Sequence, residues 1–243
     1  MTFIPTKQDP IGVAVKHYWD NNCPTLIDVI SDIAEDEKMD ASYFFRNESI
    51  MPKLERKALR WCEGRILDIG ACVGSHSLLL QQKGYEVTAL DSSYEACLIA
   101  KKRGVISVEN QDFFQYQPSE TFDTLLLLMN GVGISGSLDG FKKLLSQAKK
   151  LISVDGCIIF DSSDLIYLFM DEEGEAFIDI NSNKYYGVVN YQMKFKDVAG
   201  GHFDWLFLDP DSMREIVADE GFSIEKYEEG DHYDYLVKLR RKR

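Results

Sequence analysis

The sequence predicts an α/β fold, built as a doubly wound, mostly parallel sheet. An N-terminal helical cap precedes it, and an antiparallel hairpin is inserted after its fifth strand. Three observations carry this expectation. Between residues 65 and 168, short apolar runs alternate with helical patterns. A glycine turn joins the first of those runs to the first helix. Beyond residue 188 the pattern changes to residue-by-residue alternation of apolar and polar side chains.

The cap is read from Ile27, Ile30, Ile33 and Ala34, which have helical spacing. A second helix is expected from Pro52 through Trp61, with Leu54, Ala58, Leu59 and Trp61 on its apolar face. Proline suits a first helical turn, and Gly64 stops the helix. Glu35, Asp36, Glu37 and Lys38 read as a solvated helix face. Apolar runs at 65–69, 86–90, 105–108, 122–129 and 156–160 then alternate with helices near 75–83, 94–103 and 138–152. Continuous apolar runs suit strands buried on both faces, and the strand–helix–strand repeat implies right-handed parallel crossovers. Val189, Tyr191, Met193 and Phe195 alternate with polar residues, Gly200 and Gly201 make a turn, and Phe203, Trp205 and Phe207 return. That is a hairpin, with Tyr185, Tyr186, Tyr191 and Trp205 packing it, and its edge is open to a homodimer contact. Asp209 and Pro210 open a helix that Gly221 ends, and strands at 222–227 and 233–239 close the chain. The domain reading is therefore 1–63 cap, 64–168 core, 169–209 hairpin lid, and 210–243 completing the core.

Bulk properties narrow the function. The 243 residues carry a net charge of −13, from 40 acidic and 27 basic side chains, a balance that repels phosphate backbones. The dense basic run Lys238, Arg240, Arg241, Lys242 and Arg243 reads as a frayed, solvated end, so no nucleic-acid partner is expected. Five cysteines without a CxxC pair argue against a disulfide framework, a zinc site and an iron–sulfur cluster. No metal is expected. There is no signal-peptide pattern and no apolar stretch near the roughly 20 residues of a membrane span. The expected location is cytoplasmic, with no membrane partner.

The chemistry is concentrated at the ends of the apolar runs. The first ends in Asp68-Ile-Gly70-Ala71-Cys72-Val-Gly74, at the turn where a doubly wound sheet meets its ligand. A dinucleotide site wants GxGxxG and amide groups free for a pyrophosphate. Here glycines stand only at the first and fifth places, and the Asp68 carboxylate suits a cationic ligand better than a pyrophosphate. Asp91 and Ser92 end the second run, where an acid holds ribose hydroxyls or else caps the next helix. Asp112 and Phe113 follow the third run, Asn130, Gly131 and Gly133 the fourth, and Asp161 through Asp164 the fifth.

The first of these segments resembles the leading motif of class I S-adenosylmethionine-dependent methyltransferases, acidic-x-Gly-x-Gly-x-Gly, with Cys72 in place of the middle glycine. The later segments follow in the family's order, and the resemblance extends over about two-thirds of the chain, most like bacterial small-molecule members. It implies a Rossmann-like sheet of seven strands whose last is antiparallel, and S-adenosylmethionine as cofactor. It implies cofactor contacts from Asp68, Gly70, Ala71, Cys72, Gly74, Asp91, Ser92, Asp112, Phe113 and Asn130, with Asp112 on the adenine amino group. It further implies a small-molecule acceptor near Phe45, Arg46, Gly131, Asp161 and Trp205, with lids from the segment 43–46 and the hairpin. His17, His76, His202 and His232 supply no assignable base. Two other readings stay open: an NAD(P)-dependent oxidoreductase on a related fold, and a non-catalytic domain that binds S-adenosylmethionine.

Overall fold

A computed structural model describes residues 4–177 and 184–242. Part of the expected insertion, 178–183, and Arg243 lie outside the described residues. Helix α1, Pro10–Asn21, starts on Asp9, whose carboxylate accepts the Gly12 N–H at 2.8 Å. Strands β1, Leu26–Ser31, and β2, Glu37–Asp40, pair antiparallel, and α2, Lys53–Trp61, follows two short turns.

The N-terminal region is thus not the all-helical cap expected. The segment with Ile27 and Ile30 is a strand, and Ile33 is exposed beyond its end. Its β-branched residues suit a strand, and a distant partner strand supplies the hydrogen bonds that a short helix would have made internally. Spacing alone favours the helix, and the long-range pairing overrides it.

The central layer follows the expected alternation: β3 Ile66–Ile69, α3 Ser75–Gln82, β4 Val87–Asp91, α4 Tyr94–Arg103, β5 Ser107–Asn110, β6 Phe122–Leu127, α5 Leu138–Leu151 and β7 Ile152–Ser163. Strands β8 Val188–Phe195, β9 Val198–Ala199 and β10 Phe203–Leu206 come next. Helix α6 Pro210–Asp219 and strands β11 Phe222–Glu229 and β12 Asp234–Arg241 finish the chain.

Among the described residues the strands form two sheets. The larger has seven strands in the order β11-β12-β7-β6-β3-β4-β5 and is parallel from β7 to β5, with β12 antiparallel to both neighbours. Alternate side chains of each strand face opposite layers. Leu67, Leu125, Ile158 and Phe160 pack against α5 and α6. Ile66, Leu126, Cys157 and Ile159 pack towards α2 and α3. This parity decides which way the strand-end acids point.

The second sheet, β10-β8-β1-β2 with β9 on β8, joins the hairpin to the N-terminal strands. Ile27 and Phe195 share a core with Val15 of α1 and Ile99 of α4. The hairpin turn is at Lys196 and Asp197, with Lys196 at φ +51°, and not at Gly200 and Gly201. Those glycines instead separate β9 from β10, where the pairing with β8 slips by one residue. Of the hairpin aromatics, the Tyr186 hydroxyl donates to Asp164 at 2.7 Å and that of Tyr185 donates to Asp209, which caps α6.

The basic C-terminal run is also not a frayed end. Lys238, Arg240 and Arg241 belong to β12. Lys238 is buried, bonding the Trp61 carbonyl at 3.2 Å and Glu63 at 3.1 Å, while Arg240 pairs with Glu63 and Glu225. Strand pairing fixes the backbone, and neighbouring acids satisfy Lys238 and Arg240. No helix among the described residues is long and apolar enough to cross a membrane.

The indole of Trp205 on β10 lies against Gly133, where a methyl group would collide with the ring. Gly133→Ala is expected to cost about 1–3 kcal/mol in urea unfolding. Gly201→Ala, whose new methyl would meet nothing within 4 Å, is expected to leave the midpoint nearly unchanged.

Candidate active site

The turn after β3 is built by backbone geometry that glycine favours. Gly70, Cys72 and Gly74 have φ of +71°, +48° and +77°. The Gly70 and Ala71 N–H groups donate to the Leu90 carbonyl at 2.9 and 3.2 Å, tying the turn to the end of β4. Cys72 takes the left-handed conformation where the motif places a glycine, and its N–H donates to Asp91 Oδ2 at 2.7 Å. Asp91 Oδ1 accepts the Ser93 N–H at 2.7 Å. Asp91 is not the cap of α4; that role falls to Ser93, whose Oγ accepts the Ala96 N–H.

A cavity of about 320 Å³ opens beside this turn. Gly70, Asp91 and Ser92 line one side, and Gln111, Asp112, Phe113 and Phe114 another; Ile4 and Ile134 also contribute. Ile4 is held there by its N–H, which donates to the Ser92 carbonyl at 2.9 Å. Asp9 reinforces this strap by accepting Ser93 Oγ at 2.6 Å. Burial pushes the Asp91 carboxyl up to about 6, against the Ser93 and Cys72 N–H groups, with the charges of Asp9 and Asp68 adding to the rise. Asp112 keeps one oxygen on the Phe114 N–H at 2.8 Å.

A second polar group lies at the carboxyl ends of β3 and β7, on the face towards α2 and α3. Arg46 is buried; its Nη2 and Nε donate to Glu55 Oε2 at 2.7 and 3.2 Å, and its Nη1 donates to the Tyr43 carbonyl. His76 Nε2 is 2.9 Å from the same Glu55 oxygen, which requires a proton on that nitrogen. Burial alone would raise the Glu55 carboxyl; His76 and Arg46 outweigh it and hold the group below its ordinary value. Asp161, half-buried, accepts the Asn130 N–H at 3.0 Å, and burial pushes its carboxyl up to about 7, with Glu55 adding to the rise.

These positions sort the residues singled out in the sequence. Gly70, Asp91, Ser92, Asp112 and Phe113 meet at the cavity, while Ala71, Cys72 and Gly74 shape the turn behind it. Asp68 does not line the cavity. It is buried under the turn, accepts Ser77 Oγ at 2.6 Å, and is raised by that burial. The Asn130 side chain is likewise engaged elsewhere, donating to the Leu206 carbonyl at 3.0 Å and accepting Ser162 Oγ at 2.7 Å. Phe45 stacks on Trp19 under the Arg103 guanidinium and packs in the cluster that holds Cys72 and Val73 of the turn after β3. Gly131 is buried, and Trp205 covers the turn that follows β6. Sequence reasoning missed Ile4, Gln111, Phe114, Ile134 and Glu55. Phe114, an exposed aromatic beside Asp112 and Phe113, carried a usable signal; Glu55, one charge in a polar helix, carried none.

The cavity fits S-adenosylmethionine by its own chemistry. A methyl group on Gly70 would project into open space at its wall, the room a ligand needs. Among the described residues its charged lining is two acids, Asp91 and Asp112, with no base, which suits hydroxyl and amino donors and opposes a pyrophosphate. The comparisons with known proteins agree. No family model matches the chain. An S-adenosylmethionine-dependent methyltransferase from Bacteroides fragilis, solved with S-adenosyl-L-homocysteine, is 38% identical; the match covers 99% of this chain and 98% of that one, with a TM-score of 0.92. An uncharacterized methyltransferase of Staphylococcus carnosus is 29% identical over 146 residues, 56% of this chain and 68% of that protein. A glycine/sarcosine N-methyltransferase of Aphanothece halophytica is 24% identical over 177 residues, 65% of this chain and 66% of that protein. With the glycine turn, the strand order and a full-length relative in agreement, the chain belongs to the S-adenosylmethionine-dependent methyltransferases.

Proposed function

We propose that the chain methylates a small-molecule acceptor, holding the adenosine of S-adenosylmethionine in the cavity beside the turn 70–74 and the acceptor beneath the second sheet. The observation that carries this reading is the acid-lined, aromatic-walled cavity against Gly70. Asp91 accepts the ribose hydroxyls with the lone pairs left over from the Cys72 and Ser93 amides. Asp112 accepts from the adenine amino group, and Phe113, Phe114 and Ile4 enclose the ring. Ala71, Cys72 and Gly74 keep the turn open for the amino-acid end. Asp68 and Asn130 act indirectly, through Ser77 and through the ends of β7 and β10.

S-adenosylmethionine supplies an activated methyl on a sulfonium, a good leaving group. The chain's own task is therefore to align a nucleophile and exclude water. Trp205, over the turn after β6, and the segment with Tyr43 and Arg46 roof the strand ends where the acceptor enters. Arg46 is locked to Glu55, so it shapes the site and does not reach for the acceptor. Support for a small acceptor comes from this enclosure and from the net charge of −13, which disfavours a phosphate backbone. The Aphanothece relative, named for glycine and sarcosine, points the same way.

S-adenosylhomocysteine is expected to bind by calorimetry, and Asp91→Ala to weaken it about 10–100-fold. Because only the ionised Asp91 accepts both hydroxyls, wild-type affinity for 5′-methylthioadenosine, which has the same ribose and no ammonium, is expected to be flat above neutral pH and to fall as pH drops through about 6. Asp91→Asn is expected to abolish that fall.

Release of S-adenosylhomocysteine, followed across small amines, acids, phenols and thiols and across RNA and protein, tests the acceptor. Turnover is expected with a small molecule, and Trp205→Ala is expected to raise the acceptor KM about tenfold with little change for the methyl donor. Turnover with RNA or protein alone would contradict the reading.

A further inference from the structure

The polar group between the main sheet and α2–α3 is short of positive charge. Three carboxylates, Glu55 on α2, Asp68 on β3 and Asp161 on β7, share it with Arg46 and His76. Both basic side chains are committed to Glu55: Arg46 through Nε and Nη2, with Nη1 on the Tyr43 carbonyl, and His76 through Nε2. Asp68 is satisfied differently, by the Ser77 hydroxyl. Asp161 is left. Its Oδ1 accepts the Asn130 N–H, and among the described residues no lysine, arginine or histidine nitrogen pairs with it.

Its direction is set by the sheet. Cys157 and Ile159 face α2 and α3, so Asp161, next in the same parity, leaves β7 on that face at the strand's carboxyl end. Glu55 is close enough for its charge to raise the Asp161 carboxyl and His76 close enough to lower it, while Asp161 raises the Tyr43 hydroxyl. Asp161 therefore sits at the strand ends with no ion-pair partner among the described residues, in an enzyme whose methyl donor is itself cationic.

We infer that Asp161 is the seat of a ligand's ammonium group. Two sources share that chemistry: the amino-acid ammonium of S-adenosylmethionine, and an amine acceptor. The inference rests on the placement of the nucleoside beside Gly70 and Asp91, since only then does the amino-acid end or the acceptor reach β7. Burial pushes the unliganded carboxyl up to about 7; an ammonium bound beside it favours the ionised form, so binding expels a proton near neutral pH.

The test compares S-adenosylhomocysteine with 5′-methylthioadenosine, which keeps the nucleoside and lacks the amino acid, by calorimetry on the full chain and on Asp161→Asn. Methylammonium is added to both proteins, with and without S-adenosylhomocysteine, and followed by thermal unfolding. If the cofactor's ammonium occupies the seat, Asp161→Asn weakens S-adenosylhomocysteine about tenfold and leaves 5′-methylthioadenosine within about twofold. If an acceptor's amine occupies it, both nucleosides bind the variant normally and methylammonium raises the melting temperature of the wild type alone. In wild type, titrations in two buffers of different ionisation enthalpy report proton release for the ammonium-bearing ligand, which keeps the test independent of the variant's folding. Equal weakening of both nucleosides, or unchanged binding without methylammonium protection or proton release, overturns the inference. Failure of both nucleosides to bind wild type would instead overturn the cavity reading, and the methylammonium arm would still decide this one.

Discussion

Asp91 joins two strand ends and two helix starts. One oxygen holds the Cys72 amide of the turn between β3 and α3, and the other holds the Ser93 amide at the start of α4. The turn it holds passes through the left-handed region at Gly70, Cys72 and Gly74, and at Cys72 that conformation costs about 1–2 kcal/mol. Charge-assisted hydrogen bonds of 2.7 Å are strong enough to offset a strain of that size. The same carboxylate is raised by its burial, so it gains from any ligand that brings hydroxyl donors. In the proposed reading, scaffold and ligand share this one side chain.

Around that clamp the charges are arranged unevenly. Among the described residues, the cavity beside Gly70 is lined by acids and no base, whereas Arg46 and His76 are drawn back onto Glu55. Breaking one partner of such a buried group leaves an uncompensated charge, which makes the segment 43–46 a fixed wall and not a loose flap. The second sheet closes the other side, since β10 brings Trp205 over Gly133 while β8 joins β10 to β1. In the proposed reading, these two elements flank the strand ends where the chain aligns a nucleophile and excludes water.

Much of this was legible in the residues. The glycine turn, Asp91, Asp112 and Phe113 stand at the ends of strands whose apolar runs are long and unambiguous, so their place at the carboxyl edge follows from the alternation itself. Side-chain direction was less legible. Asp68 precedes the first glycine but points under the turn to Ser77, and Asn130 is tied to Leu206 and Ser162; both facts depend on strand parity and on distant partners. Strand β1 was read as helix because Ile27, Ile30, Ile33 and Ala34 repeat at helical spacing, and the partner strand that overrides it, β8, lies far along the chain. Ile4 reaches the cavity only through a bridge to Ser92 and Ser93, a contact that no local pattern announces. The C-terminal basic run looked solvated because the acids that hold it, Glu63 and Glu225, come from other strands and turns.

The central claim is that this turn and its Asp91 clamp receive the nucleoside. A crystal structure with S-adenosylhomocysteine tests it most directly. The account predicts ribose hydroxyls on Asp91, the adenine ring between Ile4 and the Phe113–Phe114 pair with its amino group on Asp112, and Asp68 still on Ser77. A nucleoside bound elsewhere, or one held by Asp68 with Asp91 turned away, would contradict it.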